Sequence, residues 1–152
     1  MELIAKKNIV LNTGHLSGKE TISLVSAAKK IGVKKIIVPS NTFDLKTIKD
    51  LKKFKVKFEF SYFFVSKAAN IPLTHVDGEK HVIQGTHQDL LKFLIKEANP
   101  KNVILSGDCG VSILPKPHIG FSIFINQIIK LGFSKKDIEY MIKINSKKLF
   151  SL

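Results

Sequence analysis

The chain has 152 residues, 44% of them hydrophobic, a mean hydropathy of +0.10 and a formal charge of +13. That length and apolar content suit one domain with a real core and exclude a disordered chain, while no apolar run reaches the roughly 18 residues of a membrane span. All 25 basic residues are lysine, scattered in pairs near helix ends and turns, and without arginine's planar fork the charge reads as solvated surface and not as a nucleic-acid site.

The N-terminal stretch Met1 to Lys7 lacks the uninterrupted apolar core of a secretory signal, so a cytoplasmic location is expected. A first strand is predicted over Asn8 to Leu11, ending at Asn12-Thr13-Gly14-His15. Ser17 with Glu20 forms a capping box for a helix carrying Ile22, Val25, Ala28 and Ile31, stopped by Gly32. Lys35 to Val38 reads as a second strand, broken by Pro39-Ser40-Asn41. Asp44 starts a second helix with Leu45, Ile48, Leu51 and Phe54 on one stripe.

A third strand is expected over roughly Lys55 to Val65, where Phe58, Phe60, Tyr62 and Phe64 alternate with Glu59, Ser61 and Phe63. Asp77-Gly78 between short arms suggests a small hairpin, flanked by His75 and His81. Thr86 with Asp89 caps a third helix reaching about Ala98, which makes His87 a first-turn residue. The fourth strand, Val103-Ile104-Leu105, ends at Ser106-Gly107-Asp108. The single cysteine follows it, and Cys109 can form neither an internal disulfide nor a cysteine metal cluster. After Pro115 and Pro117 comes a helix with Phe121, Phe124, Ile125, Ile128 and Leu131, and then a last helix capped by Ser134 and Asp137.

The order β-α-β-α-β-(hairpin)-α-β-α-α implies a single α/β domain over residues 1–152, with four parallel strands joined by right-handed crossovers. Four strands are too few to close a (β/α)8 barrel of about 200 or more residues, leaving an open sheet or half of a barrel. In such folds chemistry gathers at the carboxyl ends of the strands, which singles out His15 and Asp108. A catalytic zinc takes three protein ligands and an open position for water. His118, after two prolines, is a third candidate ligand, and Glu59 must be paired, protonated or functional if it points inward. Each has an ordinary alternative: His15 and Asp108 as loop or cap residues, His75 and His81 as exposed side chains, and Cys109 as a small packed residue. Neither Gly-x-Gly-x-x-Gly nor the phosphate-loop signature occurs.

Thr13-Gly14-His15-Leu16-Ser17 with Glu20, Gly32 to Val38, Val103 to Asp108, Gly132-Phe133-Ser134 and the ending Asn145 to Leu152 follow one another in an order and spacing that resemble the C-terminal half of an amidohydrolase-superfamily barrel. The resemblance implies that the four strands correspond to the fifth to eighth of a (β/α)8 barrel. It implies a divalent metal such as zinc, with His15 as ligand, Asp108 as ligand and proton acceptor for the attacking water, and hydrolysis of an amide- or ester-like bond. The sixth-strand histidine of the superfamily has no equivalent here; Ser40 stands nearest that place, and the paired first-strand histidines belong to the other half. A half-barrel also implies association, with a second copy that pools ligands or with a separately encoded N-terminal half, because its sheet edges and apolar inner face would lie open. The alternative is a non-catalytic half-barrel that binds a small ligand or a protein.

Overall fold

In the computed structural model, residues 1–70, 73–74, 80–81 and 85–150 are described. The chain opens on a short helix, α1 (Glu2–Lys7), that the sequence patterning does not announce. Asn8 ends it in the left-handed region (φ 51°), a conformation asparagine tolerates, and its N–H bonds back to the helix. The first strand therefore begins later than its apolar run: β1 is Leu11–Asn12. Then come α2 (Gly18–Lys30), β2 (Ile36–Pro39), α3 (Leu45–Lys52) and β3 (Lys57–Ser61). A small antiparallel pair, β4 (Leu73–Thr74) and β5 (Lys80–His81), agrees with the expected hairpin, whose Asp77-Gly78 turn lies outside the described residues. The rest is α4 (Gln88–Ala98), β6 (Val103–Ser106), α5 (Pro117–Lys130) and a final helical run, α6 (Lys135–Glu139), a π-helical stretch (Tyr140–Ile144) and α7 (Asn145–Phe150).

Local signals set most helix starts. Ser17 and Glu20 form the expected capping box, as do Ser134 and Asp137, and Asp44 accepts from the Thr47 N–H at 2.7 Å. That bond holds the Asp44 carboxyl below its ordinary pKa. The third cap differs from expectation. His87 is the N-cap of α4, its Nδ1 accepting from the Asp89 N–H at 3.4 Å, while the Thr86 hydroxyl donates to the Asn41 carbonyl at 2.8 Å.

The four strands β1-β2-β3-β6 form one all-parallel sheet in chain order. Ile36, Val38, Phe58, Phe60, Val103 and Leu105 point to one side, where they share a core with Val25, Ile48, Leu91, Leu94, Phe124 and Ile128 of the helices. These strands read as apolar runs because that side is closed over. The aromatic alternation ends at Ser61. Tyr62 donates its N–H to the Ser106 carbonyl at 3.0 Å, and the chain turns into a 3-10 segment (Phe63–Val65) that takes Phe63 and Phe64 into a second cluster with Ala68 and Ala69.

The opposite side is divided. At its lower, amino end Ile37 and Ile104 are buried against Leu149 of α7, with Val10 beside them. Asn145 reaches the β6 edge, its Nδ2 donating to the carbonyls of Val103 (2.7 Å) and Pro100 (2.8 Å). Lys57 bonds to the Lys101 carbonyl at 2.7 Å nearby, and burial, with Lys148 adding to it, lowers its pKa. The expectation of an open apolar inner face is thus corrected: the chain's own last helix covers those residues and caps one sheet edge. No described helix is long and apolar enough to cross a membrane.

Candidate functional site

The upper half of this second side is a cleft. Parity places its lining: with Ile37 and Ile104 pointing this way, so do Asn12, Pro39, Glu59, Ser61 and Ser106 from the four strands. Together with His15, Asn41 and Asp108 they surround a cavity of about 400 Å³. A second cavity of about 430 Å³ adjoins it through His15, Pro39, Phe64 and Asp108, and has Leu16, Phe63 and Val111 on its walls. One half is hydrogen-bonding and acidic, the other apolar, which is the usual make-up of a small-molecule site.

Two bends in the backbone bring His15 and Asp108 here. The Asn12 side chain accepts from the Gly14 N–H at 2.9 Å, and Gly14 takes φ 68°, a conformation that strains any side chain. His15 then lies with its ring 6.2 Å from that of Phe64, exposed at the mouth, just before the Ser17 cap. Asp108 is itself left-handed (φ 47°) and exposed, directly after β6. Its loop is anchored by Cys109, whose thiol donates to the Gly107 carbonyl at 3.3 Å. A Cβ at Gly120 of α5 would stand 2.6 Å from the Cys109 sulfur and 3.1 Å from the Tyr62 ring, so only glycine lets them pack there. Burial, and then the Asp108 charge, raise the Cys109 pKa, which keeps it a neutral packed thiol and disfavours a nucleophile.

His15, Asp108 and Glu59 therefore meet on one cavity. His118 does not join them: it is the second residue of α5, exposed, its carbonyl accepting from the Ser122 hydroxyl, and it lines neither cavity. His87 is committed to its cap. His75 and the His81 side chain lie outside the described residues. Ser40 points to the helix side, fully buried, with its hydroxyl donated to the Val38 carbonyl at 2.6 Å.

Asn41, one residue on, is the residue after β2 that lines the cavity. Its side chain is 6% exposed. Its Oδ1 accepts from the Ser61 N–H at 2.9 Å, which fixes which way the amide points, and its Nδ2 has no partner among the described residues. The Ser106 hydroxyl, buried on the same cavity, also has none. Both residues are readable by parity from Ile37 and Ile104. What hides them in the sequence is that Asn and Ser after a strand are ordinary turn residues.

Among the described residues, no three His, Cys, Asp or Glu side chains are grouped closely enough to hold a metal ion. His15 and Asp108 offer two donors where a catalytic zinc takes three.

Residues 1–59 match the model of a family of unknown function (DUF6282). That segment runs from α1 to Glu59 and so contains His15, Asn41 and Glu59 but not Asp108. No curated protein matches the chain.

Proposed function

We propose that the strand-end cleft is the active site of a hydrolase acting on an amide- or ester-like bond in a small molecule. The observation that carries this reading is that His15 and Asp108, from the first and last strands of the sheet, line the same cavity. Sequential parallel strands packed on one side by helices support descent from a (β/α)8 barrel of the amidohydrolase kind, in which these are the fifth and eighth strands.

The His15 imidazole takes a proton from water as the water oxygen attacks the carbonyl carbon. The same proton passes to the leaving nitrogen or oxygen as the carbon–heteroatom bond breaks. Asp108 favours the transient imidazolium by its charge. The described donor set of one chain falls short of a catalytic metal site, so no step here runs through a metal. Ligands pooled from a second copy would supply the missing donors. A second copy would meet this chain at one edge of the sheet, and a separate half-barrel at both. The second reading, a non-catalytic binding module, is favoured by that shortfall alone.

The test is hydrolysis of a panel of chromogenic amides and esters by the full chain, with and without added zinc or manganese. His15→Ala and Asp108→Asn are each expected to lower kcat/KM by about 100-fold or more, the range for losing a general acid–base group. Activity that appears only with metal, at half a metal per chain in a dimer, would identify the pooled-ligand form. No turnover by the wild type on any member, in any of these conditions, would leave the binding module.

A further inference from the structure

Among the described residues five buried side-chain polar atoms lack a hydrogen-bond partner, and two of them, Asn41 Nδ2 and Ser106 Oγ, lie on one cavity, although removing an amide or hydroxyl from water without a replacement partner is unfavourable. Asn41 cannot relieve this by turning over. A flip would aim its nitrogen at the Ser61 N–H, which needs an acceptor, and its main chain is held by the Thr86 hydroxyl. The Ser106 hydroxyl lies on the same cavity at the end of β6, two strands from β2, and Asn41 crosses part of that gap by bonding to Ser61 of β3, the register partner of Ser106. Both groups can donate, and both belong to a wall that also carries the acceptors Glu59 and Asp108. Among the described residues no lysine lines either cavity.

We propose that Asn41 Nδ2 and Ser106 Oγ together seat one carbonyl oxygen of a neutral ligand whose N–H groups face the carboxylates and whose apolar part enters the adjoining cavity. This rests on the cleft being the site of the preceding reading and adds to it the class of molecule. An anionic ligand is disfavoured by Glu59 and Asp108. An amine with no oxygen leaves both donors empty. The apolar part meets Leu16, Phe63, Phe64 and Val111. In a hydrolytic step the same two donors oppose charge developing on that oxygen.

Benzamide is a minimal probe, with benzoate and benzylamine as controls, titrated into the isotopically labelled full chain and followed by amide chemical shifts. Saturable binding of benzamide is expected, at least tenfold tighter than either control, since one buried hydrogen bond in such a site is worth about a factor of ten. Ser106→Ala should weaken benzamide about tenfold and Asn41→Asp at least as much; the aspartate keeps an oxygen for the Ser61 N–H but replaces the donor with a charged acceptor. Ser106→Ala should leave Tm unchanged or raised, because it removes an unpartnered polar group. Benzamide that does not saturate, or whose affinity is indifferent to both substitutions, overturns the proposal; so does a clear fall in Tm for Ser106→Ala, which would reveal a structural partner for the hydroxyl. His15→Ala separates the two readings, because it removes turnover and should leave benzamide bound. Binding without turnover of any substrate sinks the hydrolase alone, and turnover indifferent to both donors sinks the seat alone.

Discussion

The two sides of the one sheet differ in what they are built to do. On the helix side, all six central strand residues from Ile36 to Leu105 are apolar and buried in a single core. On the other side Ile37 and Ile104 are apolar and covered by Leu149, while Asn12, Pro39, Glu59, Ser61 and Ser106 line open space. The comparison teaches that the packed core and the polar cleft are segregated by strand parity. One set of alternate residues is satisfied by packing, and the other keeps polar groups that packing leaves available.

Substitutions at neighbouring positions sharpen the contrast most. Phe60→Ala empties a fully buried site and is expected to lower stability by about 3–5 kcal/mol in urea denaturation. Glu59→Gln, one residue away on the cleft side, should change it by no more than about 0.5 kcal/mol. Equal losses at both would erase the division between the faces.

The cover over Ile37 and Ile104 gives the next largest effect. Asn145→Ala removes two short hydrogen bonds and strands the Val103 and Pro100 carbonyls, for a loss of about 2–3 kcal/mol. Thermal melting should show it as a drop of roughly 2–4 °C for each kcal/mol. An unchanged Tm would mean that the last helix does not hold the β6 edge.

A loss smaller than those at Phe60 and Asn145 lies outside both faces, at an exposed cap, and calibrates them. Asp44→Ala should cost about 1 kcal/mol at neutral pH. The folded-state pKa of Asp44 is depressed, by the Thr47 N–H first and then its hydroxyl. The charge-dependent part of its stabilisation is therefore complete above the ordinary value of 3.8 and is lost as pH falls through the lower, folded-state value. Denaturation of wild type and variant in an acid series should show the gap between them narrowing in that window; a constant gap would remove the charged cap from the account.

Much of the fold is legible in the residues because the signals are local. Ser17 with Glu20, Asp44, and Ser134 with Asp137 each satisfy backbone groups three residues away, so their pattern implies their geometry. Thr86 and Asp89 have the same spacing, and the expectation failed there because the Thr86 hydroxyl has a partner 45 residues back in sequence, at Asn41. The third strand looked longer than it is for a similar reason. Phe63 and Phe64 continue the alternation, yet pairing stops where β6 runs out and Tyr62 meets Ser106. Within the site, His15 and Asp108 stood out as chemically capable residues at strand ends, while Asn41 and Ser106 look like any turn residues until their empty hydrogen-bonding positions are seen.

The sequence by itself determined the order of the elements after the first short helix and the four parallel strands, since periodicity and capping act over a few residues. Only the tertiary structure decided that His15, Glu59 and Asp108 share one cavity, that the last helix covers Ile37 and Ile104, and that two donors on the cavity lack partners among the described residues. Those facts depend on contacts between strand ends and a helix far apart in the chain, and hydrogen-bond satisfaction at such places is a property of the whole packing, which no local pattern encodes.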